Sequence, residues 1–327
     1  MTQRKLLEIF LWMSMLLFAM TRLVKAEDAT TPSVKPDKFY QAIEETPPRF
    51  EILVNIPATT LTLYDKGKAV KQHKIAVGSP EWPTPSGRYK IERIEWNPWW
   101  YPPPSPWAKN AKPTPPGVGN PLGPVKMMMG NALRIHGTNK PGSIGYAQSH
   151  GCMRMISAEA RNLARYLQTE IFGDSDPSLY EKYAKAATQT FGKSLPENEK
   201  VWVYLVYEPL ERKSNQIVVN PNVYNRKISY EDSLLQILAD SGIYSAPIDL
   251  KKFNSLRQAK GKVSIPFHDL LADGSQTDIL APEFEPACSS DSPAKTLEKA
   301  RARYNNRLEP ALVQSPAPTP STQVSSR

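Results

Sequence analysis

The chain predicts an α+β fold, mainly β with helices packed beside the strands. Three observations predict it. Between Phe50 and Ile94, apolar and polar residues alternate with period two in runs broken by turn residues, the pattern of half-buried strands. After Ser157 the period becomes helical, with Ala160, Leu163, Ala164, Leu167 and Ile171 on one face. At Val201 to Tyr207 an apolar run returns, as in a strand covered on both sides.

The elements follow in order. Glu51 to Ile56 and Thr60 to Tyr64 read as strands. Asp65-Lys66-Gly67-Lys68 is the turn before a partner strand over Ala69 to Val77, and Arg88 to Ile94 is a further strand. Residues 96–124 are proline-rich and hold four of the seven tryptophans. A loop this long inside a domain is uncommon without a role. Either Trp96, Trp99, Trp100, Tyr101 and Trp107 wall a groove, or they cover the domain's own core. Ala132 to His136 is a strand. Ser157 is placed to N-cap the next helix, with Glu159 in its first turn. Asp176-Pro177 opens a second helix that runs to about Gly192. Ser229 and Asp249 are placed to cap two later helices, before Gly242 and Gly261.

Composition frames the setting. Of 327 residues, 32 are proline and 40% are hydrophobic, which suits one good core plus much irregular chain. The net charge of +9 suits an anionic partner, but the basic residues are scattered and do not interleave with aromatic platforms, which argues against nucleic acid. Residues 1–26 have the form of a signal peptide: Arg4 and Lys5, an apolar run from Leu6 to Met20, then Val24-Lys25-Ala26 as a cleavage site. Cleaved or kept as an anchor, it places the rest outside the cytoplasm. The expected organisation is a linker over 27–49, a main domain over 50–209 with a helical insertion at 172–200, a small module over 210–280 and a disordered tail over 281–327.

The chemistry concentrates in one window. The chain has two cysteines and four histidines, and Cys152, His136 and His150 fall together in Ile135-His136-Gly137-Thr138 and Ser149-His150-Gly151-Cys152-Met153-Arg154. A cysteine beside an imidazole or a helix N-terminus becomes a thiolate nucleophile. His136, ending a strand, is the better base; His150 shares a face with Cys152 and is read either as a second candidate base or as a supporting donor. The successive amides of His150, Gly151 and Cys152 are candidate oxyanion donors. A Cys152–Cys288 disulfide and a zinc site on His136, His150 and Cys152 are the competing readings. His73 and His268 stand alone and read as structural or surface residues.

These residues resemble the L,D-transpeptidase catalytic domain family, also called YkuD-like. The match is His136-Gly137-Thr138-Asn139-Lys140-Pro141 followed by Ser149-His150-Gly151-Cys152-Met153-Arg154-Met155. Upstream, Thr84-Pro85-Ser86-Gly87 and Asn120-Pro121-Leu122-Gly123 are similar to further family segments. The resemblance covers about residues 50–209. It implies a mixed-sheet, sandwich-like domain with a helix after the catalytic loop, and it implies acyl transfer on peptidoglycan stem tetrapeptides. In that scheme Cys152 attacks and D-alanine leaves, while His136, oriented by the Gly137 carbonyl, moves the proton. Ser149, His150, Gly151 and Arg154 fill the remaining motif positions and shape the substrate and oxyanion site. The acceptor is a second stem peptide, a lysine of an outer-membrane lipoprotein or, in an L,D-carboxypeptidase, water. The family uses no metal or organic cofactor and is typically inhibited by carbapenems. A non-catalytic wall-binding protein is the alternative from another class. The 172–200 insertion and the bulky aromatic loop depart from the family pattern.

Overall fold

The computed structural model describes residues 48–130, 132–186, 188–240, 248–257, 261–270, 272 and 293–305. The expected signal peptide, the linker up to residue 47 and Cys288 lie outside the described residues. In chain order the strands are β1 (Phe50–Asn55), β2 (Thr60–Asp65), β3 (Lys68–Lys74), β4 (Val77–Gly78), β5 (Gly87–Ile91), β6 (Arg93–Trp96), β7 (Val125–Met128), β8 (Arg134–His136), β9 (Ala147–Ser149), β10 (Met153–Arg154), β11 (Phe191–Ser194), β12 (Val201–Val206), β13 (Leu210–Lys213), β14 (Gln216–Val219) and β15 (Val263–Pro266). The helices are α1 (Ser157–Phe172), α2 (Pro177–Lys185), α3 (Tyr230–Asp240), α4 (Leu250–Arg257) and α5 (Pro293–Asn305).

Two five-stranded sheets form an α+β domain. One runs β3-β2-β1-β12-β5, the other β10-β8-β7-β6-β11. Each is mixed, because β1 pairs β12 in parallel and β8 pairs β10 in parallel while their other ladders are antiparallel. Ile52, Val54, Leu61 and Val203 from the first sheet share one core with Ile94, Met127, Ile135 and Met153 from the second and with Leu163 and Leu167 of α1. Burying each such side chain contributes roughly 1.5–3 kcal/mol, so the period-two and period-3.6 patterns converge on one interior.

β1 and β12 are covered on their other face too. Leu53, Tyr64, Tyr204 and Val206 pack against Leu297 and Ala300 of α5. This corrects the expected disordered tail: Pro293–Asn305 is a helix that seals the first sheet. Its Arg301 reaches Glu51, which is fully buried on β1, with Nε donating to Oε1 at 2.7 Å. A smaller core joins β13, β14 and β15 to α3 and α4 through Ile217, Leu234, Phe253 and Ile265.

Other boundaries also differ. The strand expected over Ala69 to Val77 stops at Lys74, and a separate short strand begins at Val77 to pair with β9. Ile156, not Ser157, takes the N-cap position of α1. The Ser157 hydroxyl is engaged elsewhere: it accepts from the Thr138 amide at 3.2 Å and donates to the Thr138 carbonyl at 3.0 Å. The second helix opens at Asp176-Pro177 as expected, but it ends at Lys185, and Phe191–Ser194 then pairs antiparallel with β6. The insertion is therefore helix plus edge strand. Pairing with β6 outcompetes helix continuation in a segment rich in β-branched and aromatic residues.

Candidate active site

The register of β7, β8 and β10 assembles the site. Met153 lies opposite Ile135 and Arg154 opposite His136, while Lys126 faces His136 from β7. Ile135, Met127 and Met153 point into the core. Side chains alternate along a strand, so Arg134, His136, Lys126 and Arg154 project from the opposite face. Cys152 immediately precedes β10, and the same register sets it level with Arg134 on that face.

His136 is 5% exposed, and its Nδ1 lies 2.5 Å from the Gly137 carbonyl oxygen. A carbonyl only accepts, so Nδ1 carries the proton and Nε2 keeps its lone pair. Burial lowers the imidazole to about 4, against the opposing pull of the Gly137 hydrogen bond, and Arg154, Arg134 and Lys126 push the same way as burial. The ring is neutral at pH 7. Gly137 itself is held in place: it packs against Gly123 and Pro124 and against the hydroxyl of Ser157.

Cys152 is a free thiol, and it donates to the Ala132 carbonyl at 3.7 Å rather than to His136. Burial raises it above its ordinary value, while Arg134 and then Arg154 pull it down. Burial wins for both partners, so the resting pair is neutral thiol and neutral imidazole, not the thiolate expected from sequence.

The loop between β9 and β10 is tied from within and without. The Ser149 hydroxyl donates to the Cys152 carbonyl at 2.6 Å and accepts from the Gly151 amide at 3.1 Å. Gly151 has φ +103°, which side chains rarely adopt. Because its N–H is engaged by Ser149, the expected trio of oxyanion donors narrows to the His150 and Cys152 amides. Thr84, fully buried, donates to the Gly151 carbonyl and accepts from the Gly78 amide, each at 2.8 Å. Tyr224 completes the latch: its hydroxyl donates to the Gly78 carbonyl at 2.9 Å and accepts from the Thr84 amide at 3.0 Å. Arg154 donates to the Gln148 carbonyl at 3.1 Å, at the loop's other end.

His150 points outward and lies flat on Trp107, with ring centroids 3.9 Å apart; Trp107 stacks in turn on Trp100, and Trp82 tilts against His150 with centroids 6.2 Å apart. Part of the long loop is therefore an aromatic wall beside the cysteine. Trp96 is not in it. That ring is 4% exposed in the core, and its Nε1 donates to Gln168 at 2.6 Å. Trp99 and Tyr101 stack on each other, and Trp99 donates to the Thr188 carbonyl of the insertion. Asn120 folds the loop back on itself, its amide nitrogen shared among the carbonyls of Pro98, Thr114 and Pro115.

Sequence reasoning missed three residues. Arg134 was detectable, since period two puts it on the face of His136. Its Nη1 donates to the Ala132 carbonyl at 3.0 Å, and its buried Nε has no partner among the described residues. Thr84 was noted only as part of a motif. Tyr224 lies beyond the expected domain limit and carries no local signal. His73 is buried, with Glu159 at 3.4 Å, and His268 is exposed beside Asp269.

Residues 49–201 match the family model described as the L,D-transpeptidase catalytic domain, YkuD. Two curated relatives, the putative L,D-transpeptidases YkuD of Bacillus licheniformis and Bacillus subtilis, are each 34% identical over 116 residues, 35% of this chain. The chain spans 58% of the length of each. Among solved structures, an L,D-transpeptidase from Mycobacterium smegmatis is 14% identical with a TM-score of 0.31, over 49% of this chain and 59% of that one. The C442S mutant of an Enterococcus faecium L,D-transpeptidase is 15% identical with a TM-score of 0.31, over 48% of this chain and 50% of that one. Residues 49–201, which carry the His136–Cys152 face and every strand of both mixed sheets except most of β12, are a YkuD-type L,D-transpeptidase catalytic domain.

Proposed function

We propose that the domain acts on peptidoglycan stem tetrapeptides, with Cys152 as nucleophile and His136 as base. The Cys152 sulfur attacks the carbonyl of the third-position meso-diaminopimelate, and the thiol proton passes to His136 Nε2. The C–S bond forms, the amide bond to D-alanine breaks, and His136 returns the proton to the departing amine. An amine of a second stem peptide then attacks the thioester, restoring the thiol and leaving a 3→3 cross-link. A lysine amine of an outer-membrane lipoprotein is chemically equivalent as acceptor, and water in its place gives the L,D-carboxypeptidase product.

The observation that carries this reading is the Nδ1 bond of His136 to the Gly137 carbonyl. It fixes the tautomer, and so leaves Nε2 as the basic atom on the face shared with Cys152. The neutral resting pair fits transfer of the proton during attack, with Arg134 and Arg154 stabilising the sulfur charge as it develops. The His150 and Cys152 amides are the oxyanion donors, Ser149 and Gly151 shape the loop that aims them, and Arg154 braces it. The signal-like residues 1–26 support a periplasmic setting, where such peptides are found.

The test is incubation with purified disaccharide-tetrapeptide, products read by mass spectrometry beside Cys152→Ala. A cross-linked dimer identifies the amine acceptor, and tripeptide alone identifies water. Equal product from Cys152→Ala would remove the thiol from the mechanism.

A further inference from the structure

A groove of about 800 Å³ opens between α1 and α2, and none of residues 149–154 lines it. Arg161, Asn162 and Arg165 of α1 form one side. The two arginines are four residues apart, so they emerge from one face of the helix, where like charges repel unless an anion sits between them. Among the described residues neither guanidinium meets a carboxylate; Arg165 lies 4.9 Å over the ring of Tyr180. Glu181 is the acidic residue of the lining, and Lys185 already neutralises it at 3.1 Å. The amide of Asn162 also has no partner among the described residues.

The lining also holds three aromatic residues from β6 and α2. Trp96, Tyr180 and Tyr183 pack edge-on or tilted against one another, and Tyr180 is the most exposed of the three along the groove. Cations and rings lining one groove, with Arg165 lying over Tyr180, suit a ligand with both carboxylates and aliphatic length. A bare phosphate would leave the ring wall unused. The groove also borders the base. Thr138 and Ser157, which bond each other, line it one residue past the Gly137 carbonyl that orients His136.

We propose that the α1–α2 groove is a second ligand site for a carboxylate-bearing peptide. Arg161 and Arg165 bind its carboxylates and the Trp96–Tyr180–Tyr183 wall takes its aliphatic part. That the peptide is a wall stem peptide rests on the function proposed above. The helix of the insertion, which lines the groove, is thereby assigned to ligand binding.

Full-length Cys152→Ala protein, which cannot turn over, is titrated with disaccharide-tetrapeptide by calorimetry. The arginine Nε–H resonances are followed by NMR in the same titration. The expected result is movement of the Arg161 and Arg165 resonances, and a Kd raised about tenfold or more by added Arg161→Gln with Arg165→Gln. Arg165→Lys should restore part of the affinity, and the melting temperature should hold because both side chains are exposed. Unmoved resonances would overturn the proposal, as would a Kd within twofold in the double variant or equal resonance shifts on adding inorganic phosphate. Product formation is scored separately on the Cys152-intact protein. No product with the arginine effects intact removes the reaction and leaves the groove; normal product with the effects absent removes the groove and leaves the reaction.

Discussion

Trp107 lies flat on His150, ring centroids 3.9 Å apart and planes 11° apart. The contact joins the long proline-rich loop to the motif that carries Cys152, and it holds the backbone whose amides are the proposed oxyanion donors. Such stacking is worth about 0.5–1.5 kcal/mol. Trp107→Ala is therefore expected to lower acylation of Cys152 by a carbapenem by up to about tenfold. Trp107→Phe should retain most of the rate, and stopped-flow or mass spectrometry measures both.

Thr84 and Tyr224 latch the same loop from its other side. Thr84→Val leaves the buried Gly78 amide unpaired, at about 1–3 kcal/mol, and the part-buried Gly151 carbonyl unpaired at the lower end of that range. The expected outcome is a clear drop in melting temperature together with a slower acylation. Tyr224→Phe, which frees the Thr84 amide and the Gly78 carbonyl, should act in the same direction with a smaller effect on rate. A double-mutant cycle should show coupling between the two positions, since they share Gly78.

Strands, the main helix and the Cys–His window were legible because each rests on local periodicity or on rare residue types close in sequence. What escaped rests on long-range partners. Glu51 sits in a strand that reads apolar, and its buried charge makes sense only with Arg301, 250 residues away in a tail whose composition reads as disorder. Trp96 looked like one more ring of an aromatic wall. Its partner Gln168 arrives from α1, and that bond, not the local sequence, places it in the core. The thiolate expectation failed for a related reason. Proximity to histidine is readable from sequence, but the burial that raises the thiol and lowers the imidazole is a property of the assembled sheets.

Burial holds His136 near 4 against an ordinary 6.5. Between those values the unfolded chain binds a proton that the folded chain refuses, so stability rises with pH across the window and is lost as pH falls through it. The full contribution is about 3 kcal/mol. His73 and His150 are lowered as well, so the measurement is a difference: His136→Asn should flatten urea-derived stability between about pH 6.5 and pH 4 relative to wild type. If the neutral ring is the base, carbapenem acylation should stay level down to about pH 5 and fall only below it.

Arg134 works on the sulfur. Its charge pulls the Cys152 thiol down against burial, and its buried Nε has no partner among the described residues. Arg134→Gln should push the thiol higher still. Alkylation by iodoacetamide followed against pH should show its midpoint displaced upward, with Arg134→Lys intermediate because the charge remains but the planar fork is gone. A midpoint unchanged in Arg134→Gln would mean that its charge does not reach the sulfur.

Arg301 of α5 is the partner of Glu51, a carboxylate with no exposure to solvent on β1. Removing one member of a buried pair strands the other, at about 3–5 kcal/mol. Part of Arg301 reaches solvent, so the lower end of that range is expected. Arg301→Ala should therefore destabilise by about 3 kcal/mol, read from urea unfolding. Glu51→Gln together with Arg301→Met should recover most of the loss, because neither residue then leaves a charge in the interior. Truncation before Pro293 tests the same contact at larger scale: it exposes Leu53, Tyr204 and Val206 along with Glu51 and should cost more than Arg301→Ala alone. Equal effects from truncation and point substitution would mean that the ion pair, and not the apolar seal, is what α5 contributes.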